Sequence, residues 1–103
     1  MVYLHVTMEV QRRKMPEWVP IFEKYALPLY ERHGQKLVGA WKTSIGVYDE
    51  VVNLYRYESL GDLEGIRREI RKDPDWLEYM NAPELLGYEV SKVIEPLSYS
   101  PMQ

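Results

Sequence analysis

Two extended runs separated by a short connection constrain this chain more than any other feature. Lys36 to Ser44 and Glu50 to Glu58 are rich in β-branched and aromatic residues and are joined by Ile45-Gly46-Val47-Tyr48-Asp49. They are expected to form a β-hairpin. A register with Trp41 opposite Asn53 sets Gly39 opposite Tyr55 and Leu37 opposite Tyr57, which lays a large ring over a strand glycine that leaves room for it. Ahead of the hairpin, Val2, Leu4, Val6 and Met8 alternate with Tyr3, His5, Thr7 and Glu9, the period of a strand with two different faces. The basic stretch Gln11-Arg12-Arg13-Lys14 then leads to Pro16, suited to the first turn of a helix. Trp18, Ile21, Phe22, Tyr25, Leu29 and His33 recur at helical spacing as far as Gly34, a C-terminal cap. Pro28 removes one hydrogen bond inside this helix, so a kink is expected before it.

After the hairpin, Ser59-Leu60-Gly61-Asp62 has the form of a capping box with Asp in place of Glu, and Leu60, Leu63, Ile66 and Ile70 mark the core stripe of a second helix. That helix ends in Arg71-Lys72, favourable for its dipole. Asp73-Pro74 opens a short helix carrying Trp76, Leu77, Tyr79 and Met80, and Leu86 to Glu95 supplies the last strand. The order βαββαβ, in a single domain over residues 1–103, defines an α+β, ferredoxin-like fold: a four-stranded antiparallel sheet with helices on one face. The other face is not polar enough for water, because the strands place apolar or aromatic groups on both sides, as with Val52 and Leu54 against Val51, Tyr55 and Tyr57. A second copy of the chain, sheet against sheet, is the simplest cover.

Composition narrows the partners. Thirteen basic and sixteen acidic residues give a formal charge of -3, so nothing argues for nucleic acid or an anionic membrane surface. No apolar run reaches spanning length and the first residues do not read as a signal peptide, so a cytoplasmic protein is expected. The absence of cysteine excludes a disulfide framework, a thiolate zinc site and a cysteine nucleophile. Nine tyrosines and three tryptophans against one phenylalanine mean that most rings carry a polar handle, which suits clefts and interfaces.

The run Lys36-Leu37-Val38-Gly39-Ala40-Trp41-Lys42-Thr43-Ser44-Ile45-Gly46, followed by Val51-Val52-Asn53-Leu54-Tyr55-Arg56-Tyr57-Glu58-Ser59-Leu60, resembles the central hairpin of the NIPSNAP family. Phe22-Glu23, Arg32-His33-Gly34, Asp73-Pro74-Asp75-Trp76 and the ending Pro96-Leu97-Ser98-Tyr99-Ser100-Pro101-Met102 extend the resemblance over nearly the whole chain. It implies a dimeric α/β barrel, a fold shared with antibiotic-biosynthesis monooxygenases, and a family without a settled activity. The chain departs from that family at Asn53, where histidine is frequent, at Tyr55, where tryptophan is frequent, and at Leu63, where an arginine often starts the second helix. Leu4 and Val6 likewise occupy places where Arg and Tyr are common.

Candidate site residues follow from parity and chemistry. Trp41, Asn53, Tyr55 and Tyr57 share strand parity and form a polar-aromatic floor for a flat ligand, with Asn53 and the phenols as hydrogen-bond partners and Trp41 as a stacking wall; an aromatic core or dimer interface is the plainer role. Trp76 and Tyr79, near one turn apart, close the cleft or dock their helix. His5 is the candidate general base or haem ligand, against the plainer role of a half-buried histidine bonded to a neighbour. His33 reads as a helix-terminal group. Arg67, Arg68, Arg71 and Lys72 read as a solvated basic face paired by Glu64 and Glu69. No histidine spacing holds a metal, no glycine pattern cradles a phosphate, and no motif calls for a resident cofactor. Three functions are therefore carried forward: a homodimer binding a small flat or apolar molecule between sheet and helices, a cofactor-independent monooxygenase or haem-handling enzyme, and a structural or adaptor dimer with a filled core.

Overall fold

The alternation at the N-terminus is realised as β1 (Val2–Val10), one of the two inner strands of the sheet, in a computed structural model that describes residues 1–103. It is followed by α1 (Met15–Ile21), a π-helical turn (Phe22–Ala26), α2 (Leu27–Arg32), β2 (Lys36–Lys42), β3 (Glu50–Tyr57), α3 (Leu60–Lys72), α4 (Pro74–Met80) and β4 (Leu86–Ile94). The strands pair in the order β2-β3-β1-β4, every neighbour antiparallel. This is the ferredoxin-like α+β arrangement expected from the sequence.

The helices owe their ends to local chemistry. Ser59 Oγ accepts from the Asp62 amide at 3.1 Å, so the expected N-cap of α3 is present. Gly34, at φ +89°, takes the left-handed position after α2, and the Gln35 amide reaches back to the Tyr30 carbonyl at 2.9 Å. The irregularity expected before Pro28 takes the form of the π turn, in which the Leu27 amide bonds the Phe22 carbonyl. Pro28 then sits in the first turn of α2, directly after the π turn.

The hairpin is in a different register from the expected one. Trp41 lies opposite Val52, not Asn53; Ala40 is opposite Asn53 and Leu37 opposite Tyr55, with an irregularity between Leu37 and Gly39. One residue of slip exchanges the faces of a strand, so Trp41 leaves the side of Asn53, Tyr55 and Tyr57 and joins that of Val52 and Leu54. A ring does cover Gly39, but it is that of Trp41 on the same strand: a β-carbon built on Gly39 would clash with the indole, 2.7 Å from Cζ2.

Two unlike sheet faces result. Val2, Leu4, Val6 and Met8 of β1, with Val51, Asn53, Tyr55 and Tyr57 of β3, point toward the helices and are all buried. Trp18, Phe22, Ala26 and Leu63 complete that core. The opposite face carries Tyr3, His5, Thr7 and Glu9 beside Glu50, Val52, Leu54 and Arg56, and no helix covers it. The C-terminal tail returns to one corner of that face, where the Tyr3 hydroxyl donates to the Gln103 carbonyl at 2.6 Å. No helix is long and apolar enough to cross a membrane.

Candidate functional site

Phe22, set by the π turn, anchors an aromatic cluster between the first helical segment, the sheet and α4. It stacks on Trp18 with ring centroids 5.0 Å apart and meets Tyr30 and Tyr79 edge-on at 6.1 and 6.3 Å. Tyr30 in turn stands perpendicular to Tyr55 at 5.7 Å, and Trp76 lies against Tyr79 at 6.0 Å. Edge-to-face contacts of this kind orient rings as well as bury them. The cluster leaves a cavity of about 180 Å³. Its floor is Leu4, Val6, Met8 and Tyr55; its walls are Trp18, Ile21, Phe22 and Tyr30 on one side, Arg67, Ile70 and Arg71 on another, and Trp76, Tyr79 and Met80 of α4 opposite. Residues 82–86 and Glu89 close its mouth.

Burial governs the titration of the phenols. It holds Tyr30 and Tyr55 well above the ordinary tyrosine range, with a further push on each from Glu89. Tyr79 is pushed up to about 12 by burial and then by the negative charges of Glu89 and Glu84. Tyr57 is also pushed up to about 12 by burial, against the opposing positive charge of Arg67. All four are therefore neutral hydrogen-bond donors across the physiological range. The Tyr57 hydroxyl donates to the buried Gln35 side chain. Asn53, only 1% exposed, donates from Nδ2 to the Tyr55 hydroxyl oxygen at 3.3 Å, and its Oδ1 has no partner.

The structure divides the residues singled out from the sequence. Tyr55, Trp76 and Tyr79 line the cavity; Asn53 and Tyr57 stand behind it, each fixing a polar group that does. His5 and Trp41 lie on the other face of the sheet. His5 sits between Leu54 and Lys92, so the group on which base catalysis or haem ligation depended points away from the cavity. The basic face of α3 is also divided: Lys72 pairs with Glu69 at 3.4 Å, whereas Arg67 and Arg71 turn toward the cavity.

Tyr30 and Glu89 were not among those residues, and Arg67 was expected only on a solvated face. Eight positions of regular helix would leave residue 30 roughly 80° away from the direction of Phe22. The extra residue held in the π turn swings Tyr30 back onto the same wall, which no regular spacing reveals.

His33 does more than terminate a helix. Its Nε2 lies 2.7 Å from Asp73 Oδ2, and Arg32 Nη2 reaches both Asp73 and Asp75 at 2.9 Å. Asp73 is also the N-cap of α4, accepting from the Asp75 amide. Arg32 above all, then the Asp75 amide and His33, hold its carboxyl well below the usual carboxylate range. The cavity wall formed by α4 is thus tethered through its first turn to the end of α2.

Sheet order, helices confined to one face and side-chain chemistry enclosed between the two layers define a ferredoxin-like α+β domain. The chain belongs to the NIPSNAP family, which it matches over residues 3–101. It is 25% identical to a NIPSNAP-family protein of unknown function from Agrobacterium tumefaciens, with a TM-score of 0.91 over 100% of this chain and 94% of the other. An uncharacterised NIPSNAP-like domain protein from Burkholderia xenovorans is 27% identical, with a TM-score of 0.86 over 97% and 88% of the two chains. A candidate antibiotic-biosynthesis monooxygenase from Nitrosomonas europaea shares the fold at 10% identity, with a TM-score of 0.68 over 94% and 99%. No curated protein matches the chain.

Proposed function

We propose that this protein binds a small, flat, largely apolar molecule in the cavity between its sheet and helices, and that it does so as a homodimer joined through the uncovered sheet face. The aromatic cavity carries the first part. A dry apolar cavity of about 150 Å³ accepts benzene, whereas pockets for drug-sized molecules run from about 300 Å³ upward. At about 180 Å³ the cavity suits one ring or a compact pair of rings. A filled core, the expectation for a purely structural dimer, leaves no such space. Ligand-dependent thermal stabilisation across a panel of monocyclic and bicyclic aromatics tests the reading. The expected hits should vanish in Ala82→Trp, which places an indole at the mouth without touching the core; stabilisation by no member of the panel would overturn it.

The uncovered face supports the second part. Trp41 is 56% exposed and Val90 55%, large apolar groups for open water. Its charges are sorted by end: Glu9 faces Glu50 across one pair of strands, and Lys36 faces Arg56 at the opposite end of β3. Like charges directly opposite are unfavourable in an isolated sheet. A twofold axis perpendicular to the strands would lay the acidic end of one copy on the basic end of the other. Light scattering after size exclusion should give twice the chain mass, and a clean monomer at micromolar concentration would sink this part.

A second reading, a cofactor-independent monooxygenase, has one observation in its favour: the fold shared with the Nitrosomonas protein, joined to a carboxylate, Glu89, close enough to act on three cavity phenols. Oxygen uptake with hydroxylated aromatics, abolished in Glu89→Gln, tests it.

A further inference from the structure

The donors of the cavity stand on its walls and its carboxylates at its mouth, and that arrangement bears on what the cavity takes. Its interior is furnished with donors. Tyr30 and Tyr79 make no hydrogen bond within the protein, and Tyr55, whose oxygen accepts from Asn53, keeps its own proton free to donate. Arg67 is half-buried and enters no ion pair; its polar neighbours are the phenols Tyr57, within hydrogen-bonding reach, and Tyr30. Arg71 stands one turn further along the same wall, likewise without a carboxylate partner. The two acids of the lining, Glu84 and Glu89, stand at its mouth, where Glu89 still raises all three phenols. Glu84 is exposed and accepts from the Leu86 amide at 2.9 Å, and Glu89 is exposed on the edge strand.

The buried side-chain polar atom without a partner is Asn53 Oδ1, so these donors still reach solvent; a ligand that seals them must supply acceptors, and an unpaired cation costs more than a neutral donor. Three phenol protons around an apolar space are met by an acceptor oxygen, and the half-buried guanidinium favours one that carries negative charge. A cationic ligand would be repelled by Arg67 and would leave the phenols unpaired. A wholly apolar one would bury all of these donors unmet.

We infer that the ligand is an aromatic oxyanion, a carboxylate or phenolate on one or two rings, whose charged oxygen is received by Arg67 and the hydroxyls of Tyr30, Tyr55 and Tyr79 while its ring packs against Phe22 and Trp76. This rests on the cavity being a ligand site, and it goes further in fixing the sign of the ligand's charge and the residues that read it.

Calorimetric titration of the intact protein with benzoate, benzamide and benzylamine separates the possibilities, since the three share a ring and differ in charge. Benzoate is expected to bind about tenfold more tightly than benzamide, the factor characteristic of replacing a neutral by a charge-assisted hydrogen bond, with benzylamine weakest. Arg67→Gln should erase the preference for benzoate over benzamide, whereas Arg67→Lys, which keeps the charge, should retain part of it. 4-Nitrophenolate against nitrobenzene distinguishes a single charged oxygen from a carboxylate. Equal affinity for benzoate and benzamide, or tightest binding of benzylamine, would overturn the inference and leave the cavity as a site. Failure of all the probes to bind would remove both.

Discussion

The two faces of one sheet are built from alternate residues of the same strands, yet they carry different kinds of chemistry. Toward the helices, β1 and β3 present Leu4, Val6, Met8, Asn53, Tyr55 and Tyr57, buried groups among which Asn53 bonds Tyr55 and Tyr57 bonds Gln35. Away from them the same strands present His5, Glu9, Glu50 and Arg56, with Trp41 of β2 beside them. The first face can position a ligand because its rings and hydroxyls are fixed by packing; the second, where charges of each sign are gathered at opposite ends, is better suited to meeting another charged surface. Sorting by parity thus sets the proposed ligand cavity on one side and the proposed dimer contact on the other.

The most severe way to break this division is to remove the centre of the closed face. Phe22→Ala should cost about 3–5 kcal/mol in urea-induced unfolding, since Phe22 contacts Trp18, Tyr30 and Tyr79 at once. Its counterpart on the open face, Trp41→Ser, should leave the fold intact and weaken self-association by about tenfold in sedimentation equilibrium, a loss of the size expected for an aromatic anchor. Comparable unfolding costs for the two variants would show that the faces are not divided in this way.

Alkaline titration sharpens the same contrast. Tyr57 and Tyr79 have folded values raised to about 12, so the unfolded chain loses these protons first. Their contribution to stability is complete below about pH 10, the ordinary tyrosine value, and is lost as pH rises from there through about 12. Stability followed against pH should decline over that window, and less so in Tyr79→Phe. The acid side probes the tether of α4: Asp73 is depressed, so its stabilisation is present above the ordinary carboxylate range and is lost as pH falls below about 4. Asp73→Asn should flatten that acid limb and loosen the Trp76 wall, visible as a change in tryptophan fluorescence. The smallest effect belongs to His5→Ala, which should leave aromatic binding within about twofold of the parent protein, because His5 lies across the sheet from the cavity.

Element order was legible because each segment carries its own period and its own punctuation: Ser59 and Asp62 at the start of α3, Gly34 at the end of α2, alternation in β1. The hairpin register was not, because it depends on an irregularity at Val38 that composition does not mark, and a one-residue slip moved Trp41 to the wrong face. Tyr55, Trp76 and Tyr79 were recoverable from parity and helical spacing. Arg67 was not, since a basic run on a helix looks the same from sequence whether or not one member turns inward. The clamp of Arg32 and His33 on Asp73 joins positions 40 and 41 residues apart, a distance over which local patterning carries no information.

The wide turn at Phe22–Ala26 has a consequence for how such a cavity can change over generations. A helix of this kind differs from a regular one by a single residue, so a one-codon deletion at an exposed position such as Glu23 would let it rewind and carry everything after it about 100° around the axis. Tyr30 would leave the cavity's side and a different residue would replace it, with no codon of the cavity wall altered. A chain of this fold can therefore acquire a new set of cavity-facing groups by a change of length, and an alignment that closes such gaps for neatness would pair side chains that never occupy the same place.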